Sequence, residues 1–168
     1  KLANLSDPYR FPGIEDAAKR LWDAVINKEP ILIHGDYDTD GITASALLSL
    51  VLRSNGANVF SFIPHRFDDG YGFTPESLDK AMEAFGNCGV LVTVDCGITS
   101  CDAVEKAVSM GIDVIITDHH ECKEELPKAN EILPKIYLII PLVILVYMIV
   151  NGGEWVAEPG SYAHAIEE

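Results

Sequence analysis

Positive charge is what this chain has least of. Twelve lysines and arginines stand against 26 aspartates and glutamates, for a net charge of -14. Non-specific binding to nucleic acid rests on lysine and arginine neutralising phosphates, so this balance argues against a broad nucleic-acid footprint for the segment alone. Cys88, Cys96, Cys101 and Cys122 fall at spacings that match no zinc motif. No secretory signal opens the chain, so free thiols in a reducing cytoplasm are expected. Low-complexity segments and internal repeats are absent. Apolar content of 48% with 23% charged residues is that of a globular protein, not a disordered one. The first residue is Lys1, not methionine, which reads as a fragment or a chain short of its first residues.

A membrane-spanning helix needs about 20 apolar residues in a row, and no such run exists. The nearest is Ile136 to Val150, 15 residues without a charge, interrupted by Pro141. It reads as a buried element, a helix begun by Pro141 and ended at Asn151-Gly152, and no membrane partner is expected. The chain is thus divided into a core, 1–135, and an apolar segment with a tail, 136–168. The abrupt change of character near Lys135 fits a sequence joined across missing residues.

Aspartate, in contrast, recurs at telling places. His34-Gly35-Asp36-Tyr37-Asp38-Thr39-Asp40-Gly41 follows the apolar run Ile31-Leu32-Ile33. Alternate residues of an extended chain point the same way, so Asp36, Asp38 and Asp40 are placed to aim three carboxylates at one spot. Clustered anions tolerate each other only with cations between them or water around them. Taken alone, the run reads as readily as a solvated acidic turn. Two further segments shift that balance. Val92-Thr93-Val94-Asp95-Cys96-Gly97 and Val114-Ile115-Ile116-Thr117-Asp118-His119-His120 are also apolar runs ending in an acid.

Helical and extended patterns alternate between these segments. Helices are expected over Glu15 to Asn27, Ile42 to Ser54, Thr74-capped Pro75 to about Phe85, and from a Thr99 or Ser100 cap to Gly111. Strands are expected at Ile31 to Ile33, Asn58 to Ile63, Val90 to Val94 and Val114 to Ile116, with a loop from Pro64 to Gly72. A β-α alternation implies an α/β fold with a parallel β-sheet flanked by helices. Ligands then bind at the carboxyl ends of the strands, where the three acidic segments converge. Carboxylates and imidazoles brought together there are what a two-metal site needs.

These motifs, with Pro64-His65-Arg66-Phe67 and Gly70-Tyr71-Gly72, resemble those of the DHH phosphoesterases, and within them the RecJ-like single-strand-specific exonucleases. Ser6-Asp7-Pro8-Tyr9 also fits that branch, and the resemblance covers about Ser6 to Lys135. It implies a DHH-type catalytic N-terminal domain with two divalent metal ions, manganese favoured over magnesium. By resemblance, His34, Asp36 and Asp95 hold one metal. Asp38, Asp95 and His119 hold the other, with Asp95 bridging. His34 otherwise reads as a core histidine at a strand end. Adjacent histidines usually point apart, so His120 is assigned to the scissile phosphate and His119 to metal.

Asp118 reads as a partner that orients a ligand histidine, and Asp40 as holding the turn or binding metal. Arg66 is a candidate phosphate contact, or a salt-bridge partner of Asp68 or Asp69. Gly70 and Gly72 would let the backbone approach substrate, and Phe67 and Tyr71 would stack on a base or simply pack. Cys96 reads as a small buried residue, not a nucleophile. The family's fourth metal-binding aspartate has no counterpart, since no aspartate follows Asp118. The resemblance implies a hydrolase that cleaves single-stranded DNA from its five-prime end by metal-activated water, with a basic nucleic-acid-binding domain outside this chain. The alternatives are a DHH hydrolase of short oligonucleotides, cyclic dinucleotides or pyrophosphate, and a non-catalytic scaffold relative in replication or repair.

Overall fold

The computed structural model describes residues 12–65, 72–122 and 125–134. In chain order the elements are α1 (Ile14–Ile26), β1 (Pro30–Gly35), α2 (Thr39–Ser54), β2 (Asn58–Phe62), α3 (Pro75–Phe85), β3 (Val90–Val94), α4 (Cys101–Ser109), β4 (Asp113–Asp118) and β5 (Glu131–Pro134). The strands form one sheet in the order β2-β1-β3-β4-β5, and every neighbouring pair is parallel. β1, β3 and β4 are nearly or wholly buried along their length, as parallel strands covered on both faces must be. Their unbroken apolar runs are the sequence trace of that burial.

The side chains of alternate strand residues feed two cores. Ile31, Ile33 and Val92 pack with Leu21 of α1 and Leu48 and Leu52 of α2 on one face. Leu32, Leu91 and Ile116 pack with Leu78 of α3 and Val104 of α4 on the other. Each such fully buried aliphatic side chain contributes roughly 1.5–3 kcal/mol. Away from the acidic segments, at the amino ends of the strands, Arg20 of α1 ties the layers together. It donates two bonds to Glu29, at 2.8 and 2.9 Å, and one from Nε to Asp113 at 2.6 Å.

Two elements depart from expectation. α2 begins at Thr39, three residues early, because the Asp38 side chain accepts the Gly41 amide at 2.9 Å and caps the helix. Gly41 is therefore inside the first turn and does not open it. β5 extends the sheet by a strand that carries no apolar run long enough to announce it. It is preceded by Asn130, whose Oδ1 accepts the Val114 amide at 2.7 Å and whose Nδ2 donates to Asp113 at 2.9 Å. Among the described residues no helix is long and apolar enough to cross a membrane. The segment 136–168, with Pro141 and Asn151-Gly152, lies outside the described residues, as do Ser6 to Tyr9, Arg66 to Tyr71 and Lys135.

Candidate metal centre

The strand order reverses between β1 and β3: the chain leaves β1 for β2 on one side, and β3 returns to the other. A crevice opens at the carboxyl ends of such a pair. Asp36 follows β1 directly, and its amide donates to the Val94 carbonyl at 3.0 Å. Asp95 follows β3, and its amide donates to the Thr117 carbonyl at 2.9 Å. The ladder thus runs one residue past each strand and fixes both backbones. Asp95 has φ 62°, in the left-handed region. Aspartate tolerates that region better than most residues do. The turn it starts is tight, since a Cβ on Gly97 would meet Thr93 Cβ at 3.1 Å.

The geometry joins two groups. Ligand-capable atoms of Asp36, Asp38 and Asp95 lie within 4.8 Å of one another, as do those of Asp95, His119 and His120. Asp95 belongs to both. Asp36 and Asp95 are 2% and 1% exposed, and Asp36 Oδ1 and both Asp95 carboxylate oxygens are buried without a hydrogen-bond partner. His119 Nε2 stands 3.0 Å from Asp95 Oδ1 but off the hydrogen-bonding direction. Buried polar atoms are nearly always paired, and a buried unpaired carboxylate is costly. Three converging carboxylates, two of them with orphaned oxygens, flanked by imidazoles, fit divalent cations.

The carboxyl groups titrate accordingly. Burial pushes Asp95 up to about 7, reinforced by the charge of Asp38. Burial also raises Asp36, against the pull of the Tyr37 amide. Asp38 is lowered, chiefly by the Gly41 amide it caps. Without cations, the cluster therefore keeps a proton on Asp95 into the neutral range.

Asp118 is 2% exposed and fully used. Its Oδ2 accepts the Ile98 amide at 3.0 Å, and its Oδ1 accepts the His120 amide at 3.0 Å and His120 Nδ1 at 2.7 Å. It therefore orients His120, not His119, and the bond raises the His120 pKa. The two adjacent histidines do not point apart, contrary to expectation. Their ring centroids are 4.7 Å apart, and both reach Asp95, because the chain has left the strand at Asp118 and side-chain alternation ends there.

His34 joins neither group, a departure from its expected place beside Asp36 and Asp95. The ring is fully buried between Phe62 and Phe73, with Nε2 3.0 Å from Ser77 Oγ and Nδ1 3.9 Å from Cys96 Sγ. Ser77 Oγ is itself held by the capping box of α3, through Thr74. Asp40 is exposed in the first turn of α2, away from both groups. Arg66, Gly70, Phe67 and Tyr71 lie outside the described residues. Gly72 is described: its φ of 76° calls for glycine, and nothing stands within 4 Å of where a Cβ would be. Its open side leaves the backbone accessible at the cavity it lines.

A cavity of about 210 Å³ adjoins the carboxylates and is also lined by Gly72, Phe73, Cys96, Thr99 and Ser100. Cys96 is buried at 6% exposure, and burial raises its thiol well above the ordinary range. It is a wall of the cavity and not a nucleophile. Phe73, Thr99 and Ser100 carry no mark of the site in the sequence. The hydroxyl residues before α4 give only the signal of a helix start, and Phe73 only that of a core aromatic.

A family model described as "DHH family, N-terminal domain" matches residues 30–138. The single-stranded-DNA-specific exonuclease RecJ of Bacillus subtilis is 38% identical over 133 residues, covering 79% of this chain and 17% of that protein. The Escherichia coli protein of the same name is 45% identical over 125 residues, covering 74% of this chain and 21% of that one. Among solved structures, an exonuclease RecJ bound to manganese superimposes with a TM-score of 0.75 at 32% identity, over 84% of this chain and 38% of that one. RecJ of Thermus thermophilus in complex with manganese superimposes with a TM-score of 0.68 at 29% identity, over 84% of this chain and 21% of that one. The chain spans about a fifth of the length of the two curated relatives.

Proposed function

Because this chain belongs to the DHH family, matched over residues 30–138, we propose that it is the catalytic core of a metal-dependent phosphodiesterase. Its most specific reading is an exonuclease that degrades single-stranded DNA from the five-prime end, in the cytoplasm. The observation that carries the proposal is the pair of buried carboxylates, Asp36 and Asp95, with orphaned oxygens at the switch point of the sheet. Asp36, Asp38 and Asp95 would hold one divalent cation, and Asp95, His119 and His120 the other. This mixed oxygen and nitrogen donor set suits manganese, with magnesium the competitor. Such a pair, when bound, lowers the pKa of water and clamps the phosphate oxygens.

The chain's own residues supply the rest. Asp118 fixes the His120 ring through Nδ1, so that only Nε2 remains for a ligand or a phosphate oxygen. Where His120 meets the phosphate and not a metal, its hydrogen bond to Asp118 keeps the ring protonated to higher pH, which suits a group that meets developing negative charge. Arg66 is proposed as a further phosphate contact, and a basic domain outside this chain as the clamp on the strand. The net charge of -14 favours one rival, a hydrolase of short oligonucleotides, cyclic dinucleotides or pyrophosphate, since a small substrate needs no such clamp.

The test is anomalous diffraction from crystals soaked in manganese, paired with an assay of single-stranded DNA against a dinucleotide. Density among Asp36, Asp38, Asp95 and His119, with processive loss of DNA from the five-prime end in the full-length protein, supports the exonuclease. Empty density at millimolar manganese, with those side chains apart, refutes the site. Turnover of the dinucleotide alone selects the rival.

A further inference from the structure

The helix capped by Asp38 has an unusual outer side for a surface helix. Between Asp40 and Arg53, α2 bears no charged residue. Ile42, Ala46 and Leu50 stand four residues apart, on one side of the helix. All three are exposed, Ile42 by 47% and Leu50 by 67%. Surface helices ordinarily turn charged or polar residues outward. A lone exposed leucine needs no explanation, but a contiguous apolar stripe marks a contact.

The stripe continues into the furrow between α1 and α2. Both helices cover the same face of the sheet. Both run from the carboxyl to the amino ends of the strands, since α1 ends just before β1 begins and α2 begins just after β1 ends. They therefore lie roughly parallel. Trp22 of α1 and Leu47 of α2 are half-buried against the core that the two helices share. Ile26, one turn on from Trp22, is 60% exposed. An apolar furrow of this kind accepts a further helix. Among the described residues nothing covers Ile26, Ile42 or Leu50.

We propose that the uncharged segment of this chain, 136–150, docks in this furrow, with 141–150 lying along α2 from Ile42 towards Leu50. The reach suffices. β5 ends at Pro134, at the same end of the sheet as the start of α2. α2 lies over β1 and β2 and α1 extends to β5, so the furrow stands above β1 and β3. It is about 12 Å from β5 along the sheet and about 15 Å above it, roughly 19 Å away. The chain from Pro134 to Pro141 spans up to about 23 Å. A helix over 141–150 then extends about 15 Å, against about 12 Å from Ile42 to Leu50. Proline at its start and Asn151-Gly152 at its end suit a helix of that length. An occupant without charge meets a surface without charge, so no ion is buried unpaired. A second copy of the chain is the poorer occupant. Each copy carries a net charge of -14 and repels the other, whereas the tethered segment is present at an effective concentration on the order of millimolar. Docking braces α2 from outside and holds its first turn, and with it the Asp38 cap, against the sheet. The inference stands apart from the metal reading.

The experiment follows hydrogen exchange of the 168-residue chain by mass spectrometry, with sedimentation velocity at several concentrations. The parent is compared with the paired variant Ile42→Glu/Leu50→Lys and with Val108→Lys. The paired change keeps the net charge and places good helix formers at exposed positions, so α2 persists. Val108 is exposed on α4, which packs on the other face of the sheet, and serves as the control. In the parent, peptides within 136–150 are expected to exchange about tenfold or more slowly than an unstructured chain, in a monomer. The paired variant loses that protection, while peptides of 90–94 in β3 keep theirs and Val108→Lys behaves as the parent. Should 90–94 lose protection as well, Leu50→Lys alone takes the place of the pair. An unprotected segment in the parent overturns the inference, as does protection that survives the paired change. Protection that grows with concentration, alongside a sedimenting dimer, assigns the furrow to a second copy and overturns it equally. So does protection that appears only when phospholipid vesicles are added.

Discussion

Replacing Asp95 with asparagine should make the metal-free protein more stable while destroying its response to manganese. Asparagine matches aspartate in shape and is among the few residues at ease at a φ of 62°, so the tight turn survives. What changes is charge. Asp95 titrates near 7 in the folded chain, against about 3.9 in an unfolded one. A folded-state pKa raised above the unfolded value contributes stability that is complete below about pH 4 and lost as pH rises through about 7. The full conversion of that difference is about 4 kcal/mol. The cluster borders an open cavity, so solvent screening brings the working figure to about 2 kcal/mol. Above pH 7.5 the metal-free Asp95→Asn chain should therefore exceed the parent by about 2 kcal/mol, and the gap should close towards pH 4. The assay is urea denaturation at several pH values with a chelator, then repeated with manganese. Manganese at about a hundred times its dissociation constant should stabilise the parent by about 2.7 kcal/mol and the variant by far less. A variant less stable than the parent at pH 8 without metal, or equally stabilised by manganese, would refute the reasoning.

Other perturbations follow from the same geometry. Asp118→Ala removes the acceptor of three hydrogen bonds and should cost about 3 kcal/mol in denaturant, while the His120 titration followed by NMR moves to lower pH. Manganese binding releases the proton that Asp95 holds, so apparent affinity measured by calorimetry should weaken steadily below about pH 7 and level off above it. In the full-length protein Asp95→Ala should abolish hydrolysis, because both groups share that residue, whereas Arg66→Ala should mainly raise KM. Ser77→Ala removes the hydroxyl beside His34 Nε2 and breaks the capping box of α3; a loss of about 1–2 kcal/mol with little change in manganese affinity is expected, and a large change would place His34 among the ligands after all.

Much of the sheet is legible because burial on both faces leaves an unmistakable trace. Val90 to Val94 is read residue for residue, since all five positions are apolar or threonine and turn residues stand on either side. The α3 start is equally plain, because Thr74 and Pro75 each do what their local chemistry favours. Asp38 shows the opposite case. A carboxylate two residues after another reads only as a candidate ligand, and its capping bond to Gly41 shifts the helix start by a turn. β5 escapes because four residues ending in proline carry no periodicity.

The site is legible in its acids and less so in its histidines. Asp36, Asp38 and Asp95 follow from the rule that strand ends converge. The places of His34 and His120 depend on where the chain leaves the strand and on which ring nitrogen finds a partner. Ser77 lies 43 positions from His34 and Ile98 20 positions from Asp118, separations that no local pattern spans.

The loop between β1 and α2 has a consequence for how such a site can change over generations. A Cβ on Gly41 would meet the Asp36 carbonyl oxygen at 2.6 Å and its amide nitrogen at 2.8 Å, and one on Gly35 would collide with Ser45. At Gly41 the obstacle is backbone, which cannot yield as a flexible side chain can; at Gly35 it is the side chains of Ser45 and Ile63. The five residues from Asp36 to Asp40 are thus strung between a fixed anchor at Gly41 and a tightly packed one at Gly35. Random drift can alter the side chains on that span but not its length or path. A lineage that abandons catalysis would be expected to lose the acids first and the two glycines last, because the glycines serve the shape of the domain whether or not any ion is bound. Libraries aimed at a new ligand should accordingly vary positions 37, 39 and 40 and leave 35 and 41 alone.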